Sequence, residues 1–122
     1  MSGSFLILLG KLRIMFPMVA NLEDLLAAIE MLERVEEELH RENIPHSEDY
    51  EVGIMLEVPS AVFGLDSLIE HVDFMSIGSN DLQQYMFAFD RAGYISERNY
   101  NAFNPVFLKV ISGIGECFRT FP

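Results

Sequence analysis

The sequence predicts an α/β fold with parallel strands, and three observations carry that reading. Short apolar runs (Leu12 to Phe16, Val52 to Glu57 and Asp73 to Ile77) stand between segments whose apolar residues recur every three or four positions. Strands that alternate with helices imply parallel pairing and right-handed crossovers. Proline, asparagine and serine stand where each run stops or each helix opens.

Bulk properties narrow the field. A chain of 122 residues, 50% of them hydrophobic, fits one globular domain with a modest core. Its formal net charge of −11 argues against nucleic acid or an anionic membrane as a partner. The single cysteine, Cys117, has no internal disulfide partner, which points to a reducing compartment such as the cytoplasm. The early apolar run FLILLG has no basic residues before it and is far below membrane-spanning length. It reads as the end of a core element, and both chain ends read as cuts through a larger design.

The first strand is LRIMF (Leu12 to Phe16), which Pro17 stops because proline has no N–H to give the ladder. Asn21 then caps a helix that runs to about His40, with Glu23 and Asp24 in its first turn. Leu22, Leu25, Leu26, Ile29, Leu32, Val35 and Leu39 form its apolar stripe. A polar connector containing Pro45 leads to the second strand, Val52 to Glu57. There Val52, Ile54 and Leu56 point one way, and Gly53, Met55 and Glu57 the other. Ser60 is expected to cap a helix reaching about Glu70. The third strand is Asp73 to Ile77, followed by a helix from Leu82 to Phe89. After a loop, Asn104 and Pro105 open a last helix through Val106, Leu108, Val110 and Ile111.

The stretch Asp73 to Arg91, DFMSIGSNDLQQYMFAFDR, has the layout of an active-site loop: strand, tight turn, then polar residues at a helix start. Glu57 and Asp81 each follow one of two consecutive strands. In a parallel sheet both lie at the carboxyl edge, where ligands bind. Two carboxylates there suit a hard cation such as Mg²⁺; the alternative is two unrelated exposed acids among 19. Asn80 either donates to a substrate oxygen or caps the helix, and the cap is the simpler reading. Arg91 either clamps a phosphate or carboxylate, or interacts with Asp90 and its own helix end. His40, His46 and His71 lack ligand spacing and are assigned no chemistry. Cys117 reads as a buried structural thiol. No phosphate-binding glycine loop, CxxC pair or nucleophile elbow is present.

With these residues in view, the chain resembles the phosphoenolpyruvate-utilising enzymes, in particular the C-terminal barrel of the phosphoenolpyruvate-protein phosphotransferases, enzyme I of the sugar phosphotransferase system. The resemblance rests on LRIMFPM (Leu12 to Met18), GIMLEVPSA (Gly53 to Ala61) and VDFMSIGSNDLQQYMFAFDR (Val72 to Arg91), and extends to about Ile111. VPSAVF and SNDL are similar to the nitrogen-related paralogue. The resemblance implies a partial (β/α)₈ TIM barrel of about three βα units, a fragment spanning residues 1–122, with phosphoenolpyruvate and Mg²⁺ at its C-terminal face. It implies Glu57 and Asp81 as Mg²⁺ ligands, Asn80 and Asp81 at the substrate phosphate, and Arg91 as a substrate clamp.

The chain also departs from that family. FLILLG stands where the family carries a helix with a substrate arginine, and Cys117, in ECFRTFP, does not match the family's catalytic MCGE-type cysteine. No motif resembles the phosphoryl-accepting histidine, so no catalytic residue is assigned in this chain. The resemblance implies a parent enzyme that passes phosphate from phosphoenolpyruvate to a histidine and then to a phosphocarrier protein. The chain alone is expected to be inactive and to self-associate. The alternatives are a piece of pyruvate phosphate dikinase or phosphoenolpyruvate synthase, or a non-catalytic remnant serving as an interaction module.

Overall fold

The structure, a computed structural model, describes residues 11–88 and 104–120. Its strands are β1 (Leu12–Phe16), β2 (Tyr50–Leu56) and β3 (Phe74–Ile77). Its helices are α1 (Leu22–Arg41), α2 (Pro59–Phe63), α3 (Leu65–Leu68), α4 (Ser79–Phe87) and α5 (Pro105–Thr120), with a 3₁₀ turn at Ile69–His71. The strands form one parallel sheet in the order β1-β2-β3, with Phe16 level with Ile54 and Leu56 level with Ile77. Each strand lies beside the next in chain order, as in the wall of a partial TIM barrel. No helix among the described residues is long and apolar enough to cross a membrane.

The two faces of the sheet differ in chemistry, as the two-residue alternation of β2 requires. Ile54 and Leu56 are fully buried with Leu25, Leu68 and Leu82, and Phe107 and Ile114 of α5 complete that core. The other face carries Arg13, Met15, Gly53, Met55, Phe74 and Ser76, and stays open at Arg13, Met15 and Ser76. Gly53 is required there, because a Cβ would stand 2.5 Å from the Phe74 ring. Arg13 lies 4.2 Å above that ring and pairs with Glu51 at 3.5 Å.

Local signals are met at the helix ends. Asn21 Oδ1 accepts the Asp24 N–H at 2.8 Å, and Asn104 Oδ1 accepts the Val106 N–H at 2.9 Å. Three expectations need correction. The stripe of α1 is only partly buried: Leu22, Leu25 and Ile29 reach the core, whereas Leu26 and Val35 are 43% and 47% exposed. The helix expected from Ser60 to Glu70 is broken at Gly64 into α2, α3 and the 3₁₀ turn. Ser60 is not its cap; Pro59 precedes it inside α2, and its hydroxyl donates to the Ala20 carbonyl at 2.6 Å. A contact 40 residues away has replaced the local cap. The last helix continues past Ile111 to Thr120, and Cys117 packs against the core. FLILLG, Phe89 and Arg91 lie outside the described residues.

Candidate functional site

The carboxyl ends of β2 and β3 build the site. Glu57 follows β2 directly and is 5% exposed despite its charge. A buried carboxylate needs partners, and one comes from the loop after β1. Pro17 lies just past that strand, and Met18 then adopts φ 54°, in the left-handed region. In this conformation the Met18 N–H donates to Glu57 Oε2 at 2.7 Å. The two residues stand 39 positions apart, beyond the reach of local sequence patterns.

The end of β3 closes over the same carboxylate. The Gly78 N–H donates to the Leu56 carbonyl at 3.0 Å, which holds the turn against β2. A Cβ on Gly78 would stand 2.9 Å from Glu57 Cβ and 3.2 Å from Oε1. Glycine thus lets the β3–α4 turn reach Glu57. Helix α4 begins at Ser79, one residue later, so Asp81 sits in its first turn, where the helix dipole favours an anion.

Asn80 is not a cap. The cap position is Gly78, which has no side chain to supply the bond, and Asn80 lies inside the first turn. The sequence pattern started the helix at Leu82, whereas the one-residue turn lets it start at Ser79. The structure brings Glu57, Asn80 and Asp81 to the wall of one cavity of about 350 Å³, shared with Ser76, Gly78 and Ser79. It does not describe Arg91. The Met18 amide and Gly78 are the site residues that sequence reasoning missed. Proline ending one strand and glycine ending another were their only local marks.

The cavity has the chemistry of a polar, acidic rim. Its wall combines hydroxyl and amide groups with two carboxylates, and like charges in one cavity favour a bridging cation. All the charged donors are oxygens, the set that a hard dication takes, and Glu57 is already oriented by Met18. A larger cavity of about 460 Å³ lies among α2, α4 and α5, lined by Val62, Phe63, Leu82, Met86, Val110 and Ile114 among others. It is mainly apolar and lacks the convergent polar groups that orient a charged substrate.

Comparison with known proteins identifies the family of the chain. Residues 6–119 match the family described as "PEP-utilising enzyme, PEP-binding domain". The chain is 46% identical over 102 residues to multiphosphoryl transfer protein 2 of Escherichia coli, covering 84% of the chain and 12% of that relative. It is equally identical, 46% over 102 residues, to the phosphoenolpyruvate-protein phosphotransferase of Mycoplasma pneumoniae, covering 84% of the chain and 17% of that relative. With the Enterococcus faecalis phosphoenolpyruvate-protein phosphotransferase the identity is 42% over 105 residues, 86% of the chain and 18% of that relative. The chain thus spans less than a fifth of the length of these relatives.

Proposed function

The chain belongs to the PEP-utilising enzymes, in their PEP-binding domain, and on that premise we propose that it supplies the Mg²⁺ and phosphate rim of a phosphoenolpyruvate-protein phosphotransferase. The observation that carries this reading is the shared cavity of Glu57, Asn80 and Asp81 at the carboxyl ends of two neighbouring parallel strands. Active sites of barrel enzymes lie at that end.

In this reading Glu57 and Asp81 hold Mg²⁺, which neutralises charge on the phosphoryl group when bound. Glu57 enters the reaction in a fixed orientation, because Met18 holds one of its oxygens. Asn80 donates its amide to a phosphate oxygen. Arg91 clamps the substrate with its planar guanidinium. The parent enzyme then passes the phosphoryl group to a histidine and on to a phosphocarrier protein, in sugar transport in the cytoplasm. The chain itself is a fragment, residues 1–122, of the barrel domain, and its open sheet face is the barrel interior.

Titration with Mn²⁺, followed by electron paramagnetic resonance, tests the rim. The wild-type chain is expected to bind weakly at the rim, because water fills most of the ligand shell, and Asp81→Ala to remove the rim component of the binding. Identical binding by both proteins would refute the assignment.

A further inference from the structure

At the other end of β2, we propose that Glu36, His40 and His46 form a site for a transition-metal dication of the Zn²⁺ type. Glu36 and His40 stand one turn apart on α1, so they share a helix face. The connector then reverses at Asn43, with φ 55°, and passes Pro45, which brings His46 back onto that face. One ligand atom from each of the three residues lies within 4.8 Å of the other two. The His40 and His46 rings meet edge to face with centroids 4.6 Å apart.

Two hydrogen bonds prepare the ligand atoms. His46 Nδ1 lies 2.9 Å from the Ile44 carbonyl, which only accepts. Nδ1 therefore carries the ring proton in the neutral imidazole, and Nε2 keeps its lone pair. That Nε2 is buried and has no hydrogen-bond partner. A buried acceptor left unsatisfied is costly, and a metal ion would satisfy it. On the carboxylate, the Tyr50 hydroxyl donates to Glu36 Oε2 at 2.5 Å, which orients the group and leaves Oε1 for a metal. Glu48, 3.4 Å from His40 Nε2, adds a further negative charge.

The donor set selects the metal. Two imidazoles and one carboxylate suit Zn²⁺, which takes three protein ligands and a water, whereas Mg²⁺ prefers oxygen alone. Bonds of about 2.0–2.1 Å place tetrahedral ligand atoms about 3.4 Å apart. The ligand atoms, within 4.8 Å of one another, must draw together to reach that spacing when a metal binds. Strand β2, seven residues and about 20 Å long, separates the site from the Glu57 cavity. The site ties the last turns of α1 to the connector entering β2.

Competition between the metal-stripped chain and a chromophoric chelator for Zn²⁺ tests the proposal. One Zn²⁺ per chain is expected, with His46→Ala and His40→Ala each weakening binding by at least about tenfold. His71→Ala, which removes the only other histidine, should leave it unchanged. Equal affinity of His46→Ala and wild type overturns the proposal. A folding defect in the variants does not shelter it, because the wild-type protein gives a second readout. The imidazole ¹⁵N resonances of His46 and His40 must shift on adding Zn²⁺ while those of His71 do not. Unmoved His46 resonances overturn it equally.

Discussion

Gly78 lies so close to Glu57 that a Cβ on it would meet Glu57 Cβ at 2.9 Å and Oε1 at 3.2 Å. The carboxylate cannot give way freely, since its other oxygen is held by the Met18 N–H. Gly78→Ala is therefore expected to turn Glu57 out of position, with little change in secondary structure because the Gly78 φ of −83° suits any residue. Mn²⁺ affinity should fall about tenfold or more, in the range seen when groups that orient a metal ligand are lost. Calorimetric titration with circular dichroism as the fold control checks this. Full retention of Mn²⁺ affinity would mean that the turn does not position Glu57.

Tyr50 is predicted to give the chain an alkaline stability limit. The hydrogen bond to Glu36, assisted by burial and by the charges of Glu36 and Glu33, pushes its phenol up to about 12 from the ordinary 10.0. Between these values the unfolded chain has lost the proton and the folded chain keeps it. The folded state then binds more protons, so stability falls as pH rises. The contribution is complete below pH 10 and disappears as pH passes about 12. Tyr50→Phe should flatten this slope in urea melts across that window, and Glu36→Gln should lower the phenol midpoint in absorbance titration at alkaline pH. An unchanged midpoint in Glu36→Gln would rule out Glu36 as the cause.

Self-association is the expected state of the chain in solution. Among the described residues β1 and β3 are each paired on one side only, which leaves two strand edges with unpaired backbone groups. Parallel sheets normally have both faces covered, yet here Leu12, Met15 and Ile77 are 47%, 39% and 39% exposed. Sedimentation velocity over a concentration series should reveal species larger than 13.9 kDa. A single monomeric boundary at every concentration would contradict this.

Phosphoenolpyruvate turnover by this chain alone is expected to be absent. By resemblance, the acid cysteine and the accepting histidine come from other segments of the family's enzymes, and Cys117 matches neither in position nor in motif. Loss of one charge-stabilising group typically costs ~10²–10³ in rate, and loss of the acceptor removes transfer itself. An assay of pyruvate coupled to lactate dehydrogenase, with Mg²⁺ and the phosphohistidine domain supplied in trans, checks this. Turnover near that of an intact enzyme, abolished by Glu57→Ala, would overturn it.

Short spacings along the chain made part of this architecture legible from the residues alone. Periods of two and of three to four residues gave the parallel α/β order, and Asn21 and Asn104 marked their helix starts, because a cap reaches only two or three residues along the chain. Glu57 and Asp81 were legible as strand-end carboxylates, since position after a parallel strand fixes the sheet edge. Long-range packing set the rest. Ser60 abandoned a cap for the Ala20 carbonyl, and α1 buried one part of its stripe and exposed another. The Met18 amide found Glu57, and His46 returned to Glu36 and His40. Each of these pairings depends on where a crossover or a connector lays distant backbone against a strand end. That placement follows from packing of the whole sheet and its helices, and no local spacing of residue types records it.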